Sequence, residues 1–243
     1  MITPKIVKAT TQPRYVGVIF SANDLDRALR LRSQPDLFEL RLDGLAEFVD
    51  KLPDVIPRLH CPVIITARSP SEGGLNRLSL SQRRQLLRRF LPLAAMIDLE
   101  LSCATALASI IKLARASEVP LILSRHDFNR MPSLAVLRKL ADRAHSLGAD
   151  IFKIVARTDD RQQLEQLLAF AQSKSLPLSI SAMGVGKLGR VSRAVLANTG
   201  SVLNYAHLGR ATAQGQMSLS ELRAVIGRRL RSGKSRGTRR AYI

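Results

Sequence analysis

Lys153 sits inside an apolar run, Ile151-Phe152-Lys153-Ile154-Val155-Ala156. In a buried strand its ammonium must be paired or must shed its proton, because loss of water disfavours the charged form. A neutral amine attacks carbonyls and forms imines, so Schiff-base chemistry is the most consequential reading. The plain alternative is a lysine that bends its head out to water at a strand end. Bulky apolar neighbours on both sides argue against it. His126 closes another run, Leu121-Ile122-Leu123-Ser124-Arg125-His126, and shares a period-two face with Ser124. A lone histidine at a strand end is more often structural, but beside other titratable groups it is a candidate general base.

Three charged residues alternate with apolar ones in Phe38-Glu39-Leu40-Arg41-Leu42-Asp43. Alternation puts Glu39, Arg41 and Asp43 on one face of a strand, either as a structural ion-pair network or as a ligand site. Thr66 and Arg68 repeat the pattern, and Arg68 suits an oxygen-rich ligand. Behind them comes Ser69-Pro70-Ser71-Glu72-Gly73-Gly74, whose glycines permit a tight loop. The stretch Gly184-Val185-Gly186-Lys187-Leu188-Gly189-Arg190 is a Gly-rich turn with cations at a helix start, a setting for a carboxylate or phosphate. In Gly209-Arg210-Ala211-Thr212-Ala213-Gln214-Gly215-Gln216, the amide of Gln216 can both donate to and accept from a ligand.

The elements that must carry these residues follow from hydropathy. Strands are expected at 15–20, 37–41, 63–67, 96–101, 121–124, 151–156, 178–182 and 202–206. Helical patterns follow each, at 23–32, 47–59, 81–90, 104–117, 133–147, 160–173, 190–198 and 219–230. Pro53 and Pro57 weaken the second. Asn23 with Asp24, Ser133, and Asp159 with Asp160 are N-cap signals. Strict alternation of strand and helix implies a parallel sheet, and eight units in a chain of 243 residues fit an α/β fold of the (β/α)8 barrel type. No G-x-G-x-x-G turn follows the first strand, which argues against a dinucleotide fold. The barrel is expected over residues 1–231. A cationic, Gly-containing tail at 232–243 is expected to be disordered.

Bulk properties narrow the function classes. Apolar residues make up 46%, enough for a sizeable core. No apolar run is long enough to span a bilayer and no secretory signal opens the chain, so a cytoplasmic protein is expected. Cys61 and Cys103 belong to no metal-ligand spacing, and no metal is expected. Lys and Arg number 38 against 19 acidic residues, with a pI near 11.3. Such a chain attracts anionic metabolites and, non-specifically, polyanions. Arg83-Arg84 and Arg88-Arg89 read as a solvated face. With no Trp and 4% aromatics, platforms for stacking nucleic-acid bases are scarce.

Taken in order, Glu39-Leu40-Arg41 with Asp43, Thr66-Ala67-Arg68-x-x-x-Glu72-Gly73-Gly74, Ser124-Arg125-His126-Asp127-Phe128, Ala149-Asp150-x-x-Lys153, Ala182-Met183-Gly184, Ser192-Arg193 and Ala213-x-Gly215-Gln216 resemble the type I 3-dehydroquinate dehydratases. The likeness runs over nearly the full chain. It implies dehydration of 3-dehydroquinate to 3-dehydroshikimate in the shikimate pathway, with neither metal nor organic cofactor, in a homodimer. It further implies that Lys153 forms an imine with the substrate ketone. His126 would then remove the adjacent carbon's proton and help the hydroxyl leave, with Glu72 orienting it. Glu39, Arg41 and Arg68 match positions that hold the ring hydroxyls, Arg193 the partner of the substrate carboxylate, and Thr212 and Gln216 the closing loop. Two departures stand out: the stretch before Ser192-Arg193 is longer than the family pattern, and Gln214 replaces a proline. The competing readings are another imine-forming barrel of the aldolase or transaldolase type, and a basic nucleic-acid-associated protein on an inactive barrel.

Overall fold

The structure is a computed structural model that describes residues 13–234. Eight strands alternate with helices. The strands are β1 (Arg14–Ile19), β2 (Leu37–Arg41), β3 (Val63–Thr66), β4 (Met96–Glu100), β5 (Leu121–Asp127), β6 (Ile151–Arg157), β7 (Ser179–Val185) and β8 (Leu203–His207). The helices are α1 (Ala22–Arg30), α2 (Leu52–Val55), α3 (Leu80–Phe90), α4 (Ala108–Ala116), α5 (Leu134–Ser146), α6 (Arg161–Ala171), α7 (Gly189–Thr199) and α8 (Leu219–Lys234). The helix expected at 47–59 is broken into the short α2 and flanking 3-10 turns, as Pro53 and Pro57 remove backbone donors there. The first cap also differs. Ser21, not Asn23, caps α1, accepting from the Asp24 amide at 3.2 Å. Ser133 and Asp160 cap α5 and α6.

All neighbouring strands pair in parallel, in the order β7-β6-β5-β4-β3-β2-β1-β8. Among the described residues no named ladder joins β7 to β8. That seam is closed by the Val202 amide on the Ile180 carbonyl at 2.9 Å and by serine hydroxyls. Ser181 Oγ donates to the Leu203 carbonyl at 2.8 Å, and the Ala182 amide to Ser201 Oγ at 3.1 Å.

Alternation along each strand divides the core in two. One set, including Phe38, Leu40, Ile65, Leu99, Leu123, Phe152 and Ile154, packs under the helices. The other set fills the barrel and includes Val16, Leu37, Ile64, Met96, Ile122, Ile151 and Leu203. One step further along the strands the inward side chains turn polar: Glu39, Thr66, Asp98, Ser124, Lys153 and Ser181 are all buried. The apolar floor thus plugs the barrel, and the polar layer lies at the C-terminal ends of the strands, where such barrels hold their chemistry. Of the expected tail at 232–243, residues 232–234 belong to α8 and the rest lie outside the described residues.

Candidate active site

Lys153, on β6, points into the barrel and is 3% exposed. Its Nζ donates to Asp98 Oδ2 at 2.9 Å and to Glu39 Oε1 at 3.3 Å, and lies 3.8 Å from the centre of the Tyr205 ring. The partners that the strand pattern called for are present. Two carboxylates and an aromatic face replace the lost water.

Arg68, fully buried, binds the same carboxylates from the other side. Its Nη2 donates to Asp98 Oδ2 at 2.9 Å and lies 3.8 Å from Glu39, while Nη1 donates to Ser124 Oγ at 2.6 Å. Burial works to raise the Asp98 carboxyl, but the charges of Arg68 and then Lys153 outweigh it and hold it below the usual carboxylate range. Glu39 also accepts from Thr66 Oγ1 at 3.0 Å. Arg41 is committed to Asp43 in a two-point fork of 2.9 and 2.7 Å, and also donates to the Gly73 carbonyl at 3.0 Å. Gly73 has a φ of +84°, a left-handed turn that glycine adopts without strain. The inward charges of β2 are therefore both network and pocket wall, since Glu39 and Arg41 also line the cavity.

His126 is held by the turn after β3. Glu72 Oε2 accepts from the His126 backbone amide at 2.9 Å and lies 3.1 Å from Nδ1. The second oxygen of Glu72 accepts from Ser102 Oγ at 2.8 Å. A carboxylate at Nδ1 favours the tautomer with its proton there, which leaves Nε2 as the free base. Burial, then the positive charges of Arg68 and Lys153, push the imidazole well below its ordinary value of 6.5. The ring is neutral at physiological pH and able to accept a proton. Because the folded value is depressed, the neutral form persists as pH falls through 6.5 and is lost only below it. The acid limb that His126 contributes to kcat/KM is therefore expected below pH 6.5, and a His126 imidazole that titrates at or above 6.5 by NMR would overturn this reading.

Arg193 enters from α7. Ser192 pins that helix to β7, with Oγ accepting from the Gly184 amide at 3.0 Å and donating to the Gly189 carbonyl at 2.7 Å. A Cβ on Gly184 would lie 2.3 Å from Ser192 Oγ, so the close approach needs glycine. The longer turn before α7 is fixed by Asp159, which accepts from the Lys187 amide at 2.7 Å. Gly186 has a φ of +101°, and a Cβ there would meet Asp159. Arg193 is 7% exposed, and among the described residues no carboxylate pairs with it. Nη1 reaches the Tyr205 carbonyl at 3.4 Å, and Nε has no partner among the described residues. Burial without a counter-ion lowers the guanidinium to about 10. It is a desolvated cation facing the cavity, the position a ligand anion would fill.

The turn after β8 covers the cavity. Gln216 Oε1 accepts from the Thr212 amide at 2.7 Å and from its hydroxyl at 3.0 Å. The Gln214 carbonyl rests against Gly189, where a Cβ would be 2.9 Å away, so the two loops pack without the proline. One cavity is thus lined by Glu39, Arg41, Arg68, Glu72, His126, Lys153, Arg193, Thr212 and Gln216 together. Among the described residues no cluster of His, Cys, Asp and Glu could hold a metal ion.

Sequence reasoning missed Asp98, Glu100 and Tyr205 as parts of this centre. The signal for the acids was present: Met96-Ile97-Asp98-Leu99-Glu100 alternates as β2 does. It also misread Arg83, which is 3% exposed and not part of a solvated face. Arg83 donates to the Ala67 carbonyl at 2.8 Å and pairs with Glu100, whose other oxygen accepts from the Ser69 amide at 2.6 Å. This pair anchors the turn that carries Glu72.

The sequence model of type I 3-dehydroquinases matches residues 21–230. The chain belongs to the type I 3-dehydroquinase family. By family it is a lyase, a 3-dehydroquinate dehydratase. The dehydratase of Methanothermobacter thermautotrophicus is 34% identical over 194 residues, covering 79% of this chain and 84% of that protein. The dehydratase of Thermococcus gammatolerans is 32% identical over 213 residues, covering 86% and 96%. Among solved structures, the type I dehydratase of Clostridium difficile with covalently modified comenic acid superposes with a TM-score of 0.83 at 25% identity, covering 96% of this chain and 98% of that one. The dehydratase of Geobacillus kaustophilus shares the fold, with a TM-score of 0.81 at 24% identity over 98% and 99% of the two chains.

Proposed function

We propose that this type I 3-dehydroquinase dehydrates 3-dehydroquinate to 3-dehydroshikimate, in the shikimate pathway, through an imine on Lys153. The observation that carries the reading is the cavity itself, which is shared by the buried Nζ of Lys153, a neutral His126 and the carboxylate-free Arg193. Arg193 takes the substrate carboxylate, Glu39, Arg41 and Arg68 meet the ring hydroxyls, and the loop of Thr212 and Gln216 closes over the substrate. His126 accepts the proton that Lys153 must lose, and the free amine attacks the ketone. Loss of water gives a protonated imine, an electron sink that acidifies the adjacent carbon. His126, oriented by Glu72, then takes that carbon's proton and delivers one to the departing hydroxyl. Hydrolysis of the imine frees the lysine.

On this reading the chain works in the cytoplasm, and the family resemblance makes it a homodimer. No helix among the described residues is long and apolar enough to cross a membrane.

Incubation with 3-dehydroquinate and borohydride tests the proposal. A stable adduct on Lys153 is expected by peptide mass spectrometry, and its absence would sink the imine. Turnover of aldol donors in its place would favour the aldolase reading. Arg193→Ala is expected to raise KM about 10- to 100-fold, the worth of a charge-assisted hydrogen bond to a carboxylate. An unchanged KM in steady-state assays would remove Arg193 from substrate recognition.

A further inference from the structure

Tyr205 is a buried group to which the mechanism above gives no task. It lies on β8 with its side chain inside the barrel, where it is 5% exposed and lines the same cavity as Lys153 and His126. Its ring lies against Lys153 Nζ, 3.8 Å from centroid to nitrogen. Its hydroxyl is fully buried and has no hydrogen-bond partner among the described residues. Three of the four oxygens of the two carboxylates that act on it are already engaged, and the hydroxyl bonds none of the four. Asp98 Oδ1 takes Ser124 and Oδ2 takes Arg68 and Lys153, while Glu39 Oε1 takes Thr66 and Lys153.

A buried hydroxyl that bonds nothing lowers stability, and phenylalanine would present the same ring face to the ammonium without that penalty. The hydroxyl therefore wants a partner that arrives with the ligand. Burial, then the charges of Glu39 and Asp98, push it well above its ordinary value, so it stays protonated and acts as a donor. Since the ring packs on Nζ, a carbon bonded to Nζ brings its own oxygen alongside this ring.

We propose that Tyr205 is a further catalytic residue: its hydroxyl donates a hydrogen bond to the oxygen of the ketone that Lys153 attacks and keeps it as that ketone becomes the carbinolamine. The inference rests on the imine reading given above. As the Nζ–C bond forms, the π pair of the carbonyl moves onto oxygen, where a preset donor stabilises the growing charge. A proton passes from Nζ to that oxygen. The hydroxyl so formed takes a second proton from the imidazolium of His126 and leaves as water, while the nitrogen lone pair closes the C=N bond. Nζ begins with three protons and ends with one, water carries the other two, and His126 returns to neutral. Tyr205 keeps its own proton, so the step needs no further reactant.

Tyr205→Phe in the full-length chain tests this by removing one oxygen and leaving the ring under Nζ. Three measurements decide it: steady-state kcat and KM with 3-dehydroquinate, the rate at which borohydride traps the adduct under single turnover, and the thermal midpoint. A fall of about tenfold in kcat is expected, the equivalent of one hydrogen bond made to a group that gains charge. A matching fall in trapping rate and a midpoint equal to or above that of the wild type complete the expected result. Wild-type turnover and trapping in the variant would overturn the proposal, as would slower turnover with a lower midpoint, the mark of a structural hydroxyl. A wild-type protein that gives no Lys153 adduct would remove the imine reading and this proposal with it, whatever the variant does.

Discussion

Replacing Lys153 by alanine or methionine abolishes dehydration, with turnover falling on the order of 10⁴-fold or more, the scale seen when a covalent nucleophile is deleted. Borohydride then leaves no adduct on the chain. Among the described residues no other amine lines the cavity, because its remaining cations, Arg41, Arg68 and Arg193, are guanidinium groups and do not form imines. The fold is weakened as well. Asp98 and Glu39 lose the cation at 2.9 and 3.3 Å and are left to Arg68, which binds Asp98 at 2.9 Å and sits 3.8 Å from Glu39. Breaking a buried pair costs about 3–5 kcal/mol, and the retained arginine should keep the loss toward the lower end. The variant is thus expected to fold with a lower thermal midpoint, measured beside activity so that unfolding and lost chemistry are separated. Normal turnover in a folded Lys153→Met protein would end the assignment.

His126→Ala has the second-largest effect and a different signature. General-base catalysis contributes about 10²–10⁴-fold, so kcat is expected to fall within that range. Imine formation still proceeds, more slowly, and the imine then has no base to consume it. Borohydride should therefore recover an adduct on Lys153 from a variant that barely turns over, the reverse of the lysine result. Glu72 does not supply the missing base. It is 3% exposed and holds Ser102 at 2.8 Å through the oxygen not facing His126. A variant that dehydrates at the wild-type rate would show that the burial-depressed imidazole is not the proton acceptor.

The two results share one physical origin, a set of charges held out of water by mutual pairing. Lys153, Arg68, Asp98 and Glu39 form a compact cluster, with Arg83 and Glu100 extending it to α3. Near this cluster the imidazole is surrounded by more positive than negative influence, and it remains a base where a solvated histidine would be half protonated. Arg193 stands apart from the cluster, paired with no carboxylate among the described residues, and on the proposed reading it takes the substrate's own.

Much of this was legible along the chain. Strand and helix alternation determined the fold, because a period of two and a period near 3.6 are local and each apolar face must find cover. The strand expected at 37–41 matches β2 in full, and the others shift at their ends by a few residues, where neither pattern nor hydrogen bonding is sharp. The inward face of Glu39 and Arg41, the misfit of Lys153 in an apolar strand, and the position of His126 at a strand end also follow from alternation alone.

What the chain could not display is pairing across the barrel. Lys153 meets Asp98 from 55 positions away and Glu39 from 114. Those distances depend on how far each strand is staggered against the next, and on closure at the β7–β8 seam, quantities that no local pattern encodes. The same holds for Arg83, which resembled a surface arginine beside Arg84 until the fold turned it onto Glu100. It holds for Arg193, which pairs with no carboxylate among the described residues, and for the Tyr205 hydroxyl, which bonds none of them. A missing partner is a property of everything packed around a group, so only the tertiary structure could decide it.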